Sequence, residues 1–232
     1  MHGNGQIGET FSRNSVFVSH KHAQNHGSES FVYNGIDFDE YPATQIKKEN
    51  AWNDFLFLAK ASWRIKNLRS CLRSCKKTKK NLHIAGGKSW LPSRYVINHG
   101  FVGGKKKNEI IQSCDALLFP VKWEEPFGLA IIEAMGFGLP ILGSPYGSLP
   151  ELITSDTGII CQNETEMINH LRNAPGVFKP QQIIDYAREN FSSIQMAKSY
   201  LKTYERILNK EIINTAMPTW QFKSRATSAL PF

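Results

Sequence analysis

The chain has 232 residues, which at about 150 residues per domain is enough for one large domain or for one domain and part of another. Hydrophobic residues make up 41% and charged residues 21% of the chain, and this composition excludes a disordered, collagenous or coiled-coil protein. The net charge of +8 leaves three classes of partner open, namely nucleic acid, an anionic membrane surface and phosphorylated small molecules.

Apolar runs and cysteines indicate the compartment. No apolar run approaches the roughly 18 residues needed to cross a bilayer, and the polar start of the chain lacks a hydrophobic signal core. The four cysteines are too few and too scattered for a disulfide framework. We therefore expect a soluble, cytoplasmic protein.

The positive charge is concentrated in the middle of the chain. No acidic residue occurs between Asp54 and Glu109, whereas 14 Lys and Arg residues, half of the total, lie there. Most charge runs of this kind form a solvated surface. Clustered basic side chains also bind phosphate groups, or gain about 1 kcal/mol each beside an anionic bilayer. An anionic membrane surface is therefore one expected partner.

In chain order, an irregular segment precedes a regular alternation of strands and helices. Short apolar runs predict strands at residues 15–19 and 30–33, the second followed by the turn signal Asn34-Gly35. Further strands are predicted at residues 55–59, 82–85, 96–102, 116–119, 141–142 and 158–160. Helices are predicted at residues 68–75, 108–114 and 128–137, and residues 164–210 are expected to be helical, with Pro180 opening one helix. This alternation predicts an α/β fold with a Rossmann-like, doubly wound parallel sheet.

Residues 126–150 contain one charged residue, Glu133, in a predicted helix that is apolar on nearly every face. A carboxylate there must have a partner. The helix begins just after Gly128, where free backbone N–H groups can hold an anion such as a pyrophosphate. Glu125 follows a strand end, on the side of an open α/β sheet where ligands bind. The alternative is a plain strand-to-helix turn, with Glu133 bonded to a backbone amide.

The stretch from Glu125 to Leu129, together with Glu133, resembles the E-x7-E element of retaining GT-B glycosyltransferases of family 4. Other segments agree in order. Residues 33–37 resemble the interdomain linker of that family, residues 84–86 its second strand, residues 99–102 a later strand, and residues 147–151 its Gly-Gly-x-Pro-Glu turn. The resemblance covers about residues 15–210 and implies two Rossmann-like domains with the active site between them.

The resemblance implies a donor site for a sugar nucleotide. Glu125 would be the catalytic carboxylate that faces the transferred sugar, and Glu133 would accept hydrogen bonds from the donor ribose. The remaining donor-binding residues would be the amides of Phe127, Gly128 and Leu129 at the sugar and distal phosphate, and Gly100, Phe101 and Val102 near the base.

Lys60 and Lys66 would neutralise the leaving diphosphate. Here the sequence departs from the family, because Ala59-Lys60 stands where Gly-Arg is usual and the two lysines are one residue further apart than in the common pattern. Arg64 is an alternative to one of them, and a lysine is a point charge rather than a bidentate fork.

The resemblance also implies that the acceptor-binding first domain is largely missing. We expect residues 1–40 to be a remnant of that domain with the linker, 41–192 the donor domain, 193–215 a crossing helix and 216–232 a disordered tail. The histidine that the family places in its first domain has no assured counterpart. The candidates by residue type, which we expect to be loop residues, are His2, His20, His22 and His26.

The expected activity is transfer of a sugar, with retention, from a nucleoside diphosphate sugar to an acceptor hydroxyl in polysaccharide or glycolipid synthesis. The expected partners are the sugar nucleotide and an acceptor glycan or glycolipid, at the inner face of the membrane, with no metal, other cofactor or nucleic acid. The alternative is a truncated, non-catalytic sugar-nucleotide-binding module, or one half of a split enzyme whose first domain is a separate partner.

Overall fold

The computed structural model describes residues 1–41, 52–90, 93–173, 178–222 and 229–232. At its centre is a six-stranded, fully parallel sheet in the order β3-β2-β1-β4-β5-β6. The strands are β1 (Asp54–Leu58), β2 (Asn81–Ala85), β3 (Val96–Gly100), β4 (Ala116–Phe119), β5 (Ile141–Gly143) and β6 (Gly158–Ile160). The predicted Rossmann-like fold is confirmed, and the strand order reverses between β1 and β4.

Helices cover the sheet and connect its strands. They are α1 (His20–Gln24), α2 (Leu68–Thr78), α3 (Gly104–Ser113), α4 (Leu129–Gly136), α5 (Leu149–Leu152), α6 (Glu164–Arg172), α7 (Pro180–Phe191) and α8 (Ser193–Leu208). Short 3-10 turns lie at Phe38–Glu40 and Arg64–Lys66. The helix predicted at residues 108–114 begins earlier, at Gly104, because its Lys-rich first turn has no apolar residue to mark it. Residues 174–177 of the predicted helical stretch lie outside the described residues.

The core lies on both faces of the sheet. All four residues of β4 are buried, as are the three central residues of β1. Central parallel strands with continuous runs of buried apolar residues are typical of a sheet covered on both faces. Within the described part of the chain, no helix is long and apolar enough to cross a membrane.

Residues 1–41 form an irregular segment, and the strands predicted at residues 15–19 and 30–33 reduce to one bridge between Phe17 and Phe31. The chain turns at Ser19, whose side chain accepts a hydrogen bond from His22 N at 3.0 Å and caps α1. The two predicted strands therefore meet in a single bridge.

The tail from residue 216 differs from the expected disorder in its described parts. Thr219 pairs antiparallel with Thr10, and Trp220 is buried with its ring centroid 5.3 Å from that of His26. Leu230 N donates to Lys122 O at 2.7 Å. Burial of the large Trp220 ring gives this segment a fixed position. Residues 223–228 of the expected tail lie outside the described residues.

Candidate functional site

The residues that follow β1 and β4 meet where the strand order reverses. Lys66 Nζ lies 2.5 Å from Glu125 Oε2, and Trp123 Nε1 donates to the same oxygen at 2.7 Å. Both charged side chains are nearly buried, with 12% exposure for Lys66 and 7% for Glu125. The ammonium group also lies 4.9 Å from the ring centroid of Trp123 and 5.2 Å from that of Phe119. Glu125 is thus a desolvated carboxylate whose charge is paired and hydrogen-bonded.

Residues 147–148 hold the loop that carries Glu125. Ser148 N donates to Glu125 O at 2.9 Å, and Ser148 Oγ donates to Phe127 O at 2.7 Å. Gly147 has φ +60°, and a Cβ atom there would lie 2.2 Å from Glu125 N. Only glycine allows this approach. Residues 147–151, which resemble the Gly-Gly-x-Pro-Glu turn of the family, therefore support the Glu125 loop.

The start of α4 presents backbone amides beside this ion pair. Gly128 has φ +94°, and the N–H of Ile131 donates to Gly128 O at 2.9 Å. The N–H groups that precede such a bond have no acceptor within the helix and carry its partial positive charge. Phe127 is buried, whereas Leu129 is 49% exposed. The helix start is therefore open on one side and suited to an anion.

Glu133 is paired with two side chains. Its Oε1 accepts hydrogen bonds from Lys107 Nζ at 2.8 Å and from the Tyr41 hydroxyl at 2.9 Å. Burial lowers the pKa of Lys107, but the hydrogen bond to Glu133 and its charge outweigh this effect, so the pKa is raised. Burial, and then the charge of Glu133, raise the pKa of Tyr41. The sequence predicts that Glu133 has a partner but identifies neither of these two residues.

The remaining candidates lie around this cluster. Lys60 is exposed, with its ammonium group 5.3 Å from the ring centroid of Trp63. Arg64 is also exposed, and it is Lys66 that pairs with Glu125. Of the residues expected near the base, Gly100 has φ +72°, Phe101 is 80% exposed and Val102 is half-buried at the start of the connection to α3.

The N-terminal segment contacts the same edge of the sheet. Ser19 Oγ donates to Pro126 O at 2.7 Å. The carboxylate of Glu151 accepts hydrogen bonds from His20 N and Lys21 N, each at 3.2 Å, and so holds the start of α1. Residues 1–41 and the Glu125 loop therefore form one packed unit.

His20 and His22 lie in α1 rather than in a loop as expected, whereas His26 lies in the turn that follows this helix. His22 and His26 are both buried. Gly5 N donates to His26 Nε2 at 2.9 Å, which leaves Nδ1 to donate to His22 O at 2.8 Å. His22 likewise bonds to Val18 N and Gly3 O. Burial lowers the pKa of His22 to about 3 and also lowers that of His26. Both are therefore neutral structural residues whose ring nitrogens are hydrogen-bonded to backbone N–H and C=O groups.

In residues 1–41, 52–90, 93–173, 178–222 and 229–232, no group of three or more His, Cys, Asp or Glu side chains is arranged to hold a metal ion. The groups that the site offers to a ligand are the α4 amides, the Lys66–Glu125 pair and Glu133. Cations and amides of this kind bind phosphates, and carboxylates accept hydrogen bonds from polyols.

Solved structures share the fold of this chain. AviGT4, a glycosyltransferase involved in avilamycin A biosynthesis, aligns with a TM-score of 0.71 and 19% identity over 84% of this chain and 63% of its own. HepE of Anabaena, solved in complex with UDP and glucose, aligns with a TM-score of 0.66 and 16% identity over 82% of this chain and 62% of its own.

Curated relatives match shorter stretches of sequence. A 41.2 kDa protein in the cps region of Klebsiella pneumoniae is 28% identical over 116 residues, which are 47% of this chain and 32% of that protein. The N-acetyl-alpha-D-glucosaminyl L-malate synthase of Bacillus anthracis is 39% identical over 62 residues, 25% of this chain and 16% of the enzyme. The chain thus spans a third or less of the length of these two relatives.

A family profile covers the centre of the chain. Residues 53–174 match the profile described as glycosyl transferases group 1. This stretch includes β1 to β6 and the Lys66, Glu125 and Glu133 positions, and it is more than half of the chain. The chain therefore belongs to the glycosyl transferases group 1 family.

Proposed function

We propose that this chain forms the donor-binding part of a retaining glycosyltransferase that moves a sugar from a nucleoside diphosphate sugar to an acceptor hydroxyl. The observation that carries the proposal is the buried Lys66–Glu125 pair beside the open start of α4, with Glu133 on the same helix. These groups lie at the switch point of the sheet, where open α/β folds bind their ligands.

Each group has a role in this proposal. The α4 amides and Lys66, rather than a metal ion, hold the diphosphate, and their positive charge stabilises the negative charge that grows on the leaving oxygen. Glu133 accepts hydrogen bonds from the ribose, and Glu125 faces the transferred sugar. Retention follows from front-face attack, in which the leaving phosphate takes the acceptor proton, so no enzymatic nucleophile is required.

The acceptor is a glycan or glycolipid in this proposal, held at the cytoplasmic face of a membrane. The acid-free basic stretch of residues 55–108 supports a location beside anionic lipid, since basic clusters are attracted to such surfaces. The cps-region name of the Klebsiella relative is consistent with a role in polysaccharide synthesis.

A second candidate, a donor half that works only with another domain, is favoured by the surface of α8. Ile194, Leu201 and Leu208 of this helix are 67%, 59% and 80% exposed, and Thr203 is its buried residue. Large exposed apolar patches mark interaction sites. In this case the chain binds sugar nucleotides but transfers sugar only when the other domain is added.

Calorimetric titration of the chain with UDP, GDP and ADP tests the donor site without an acceptor. We expect one of them to bind, and Glu133→Gln to weaken that binding by about 10- to 100-fold, because a hydrogen bond to a charged group is lost. Glu189→Gln, at an exposed position of α7, is the matched control and should bind like the wild type. Failure of the folded wild type to bind any of the three would contradict the donor site, and unchanged affinity in Glu133→Gln would contradict its ribose role.

A further inference from the structure

Both hydrogen bonds of Glu133 end on one oxygen. Lys107 Nζ and the Tyr41 hydroxyl donate to Oε1, at 2.8 and 2.9 Å. Neither of these bonds uses Oε2, and the Glu133 side chain is 17% exposed. The carboxylate is thus fixed through one oxygen while the other keeps its capacity to accept hydrogen bonds.

The two donors are held by the fold. The Lys107 ammonium lies 5.3 Å from the ring centroid of Tyr41, so the two side chains support each other. Asn108 Nδ2, one residue along α3, donates to Glu40 O at 2.8 Å and ties the helix to the segment that carries Tyr41. Phe38 in the preceding 3-10 turn is buried. Tyr41 and Lys107 also line a cavity of about 660 Å³ between this segment and α3.

We propose that Lys107 and Tyr41 are positioning residues that fix Glu133 through Oε1, so that Oε2 accepts hydrogen bonds from the donor ribose and the site selects ribonucleotides over 2′-deoxyribonucleotides. This inference rests on the proposed function. Because Oε1 is already bonded, the carboxylate has less rotational freedom to lose when Oε2 meets the ribose. Such preorganisation raises affinity.

The test compares each of UDP, GDP and ADP with its 2′-deoxy counterpart by calorimetry. The wild type should prefer the ribonucleotide by about 10-fold or more, as expected for a hydroxyl bonded to a carboxylate. Lys107→Met and Tyr41→Phe should reduce this preference to about threefold or less, mainly through weaker binding of the ribonucleotide. Lys107→Arg, which can donate to the same oxygen, should keep most of the wild-type preference for the ribonucleotide.

Lys106→Met is the matched control, since Lys106 is the exposed neighbour of Lys107 on the same helix and should leave the preference unchanged. Circular dichroism confirms that each variant is folded. If Lys107→Met weakens ribo and deoxy forms equally, Lys107 acts on the phosphates and the inference is overturned. If both variants keep the wild-type preference, it is also overturned while the donor site stands. If the wild type binds no nucleotide, the proposed function fails first.

Discussion

At the scale of single residues, the Lys66–Glu125 pair links stability to the proposed chemistry. Removal of one partner from a nearly buried pair leaves a desolvated charge. We expect Lys66→Met to lower the free energy of unfolding by about 2–4 kcal/mol, since the hydrogen bond from Trp123 is then the one that the Glu125 carboxylate keeps within the described part of the chain. Denaturation with urea measures this loss.

A double-mutant cycle provides the control for this prediction. Lys66→Met combined with Glu125→Gln should cost clearly less than the sum of the single changes, because no unpaired charge remains. Lys105→Met removes the ion pair between Lys105 and Glu109, two side chains that are 91% and 64% exposed. This change should lower the free energy of unfolding by less than about 0.5 kcal/mol. Additive losses in the cycle would show that Lys66 does not stabilise the folded state through Glu125.

The residues of the site differ in how far the sequence predicts them. Lys66 and Glu125 each follow a strand, and the ends of parallel strands meet at one edge of a sheet, so their proximity follows from the α/β pattern. Glu133 is conspicuous as one charge in an apolar helix. Its partners are not predictable in this way, because Tyr41 lies 92 residues away and reaches Glu133 only through tertiary packing.

At the scale of elements, the turn before α5 supports the Glu125 loop. Gly147→Ala introduces a Cβ that would lie 2.2 Å from Glu125 N, at a backbone φ of +60°. We expect a loss of about 2–4 kcal/mol in the free energy of unfolding, from backbone strain and displacement of the loop together. Nucleotide binding should weaken as well, because the displaced loop carries Glu125.

Gly8→Ala separates these two costs. Gly8 also has a positive φ, +78°, but a Cβ there would have nothing within 4 Å. This change should cost about 1 kcal/mol and leave nucleotide binding intact. Equal effects of the two substitutions, measured by denaturation and calorimetry, would mean that the close approach of residue 147 to Glu125 has no functional consequence.

How well the sequence predicts an element depends on whether local or long-range interactions determine it. β1 and β4 are predicted correctly because central parallel strands are buried on both faces and read as continuous apolar runs. The strands predicted at residues 15–19 and 30–33 are wrong beyond one bridge, since the Ser19 cap and the bond from Ser19 to Pro126 direct that segment onto the sheet edge. Such long-range docking has no periodic signal in the sequence.

At the scale of the whole molecule, the beginning and end of the chain pack around the same histidine. His26 stacks on Phe17 with ring centroids 4.7 Å apart and lies beside Trp220. Asn214 donates to Arg13 O at 2.8 Å. Residues 1–41 and 214–222 thus stabilise each other, and both depend on histidines that are neutral when buried.

This arrangement predicts destabilisation in mild acid. Burial lowers the pKa of His22 to about 3, whereas an unfolded histidine titrates near 6.5, so between these values the unfolded chain binds more protons. Stability is therefore full above pH 6.5 and falls as the pH decreases. His22 alone should remove about 2 kcal/mol between pH 7 and pH 5, and the lowered pKa of His26 acts in the same direction.

Urea denaturation across this range should show the decline. His22→Gln should flatten it, and His170→Gln in α6 should not, because His170 lies outside this cluster. An equally steep decline in His22→Gln would assign the acid sensitivity to other groups.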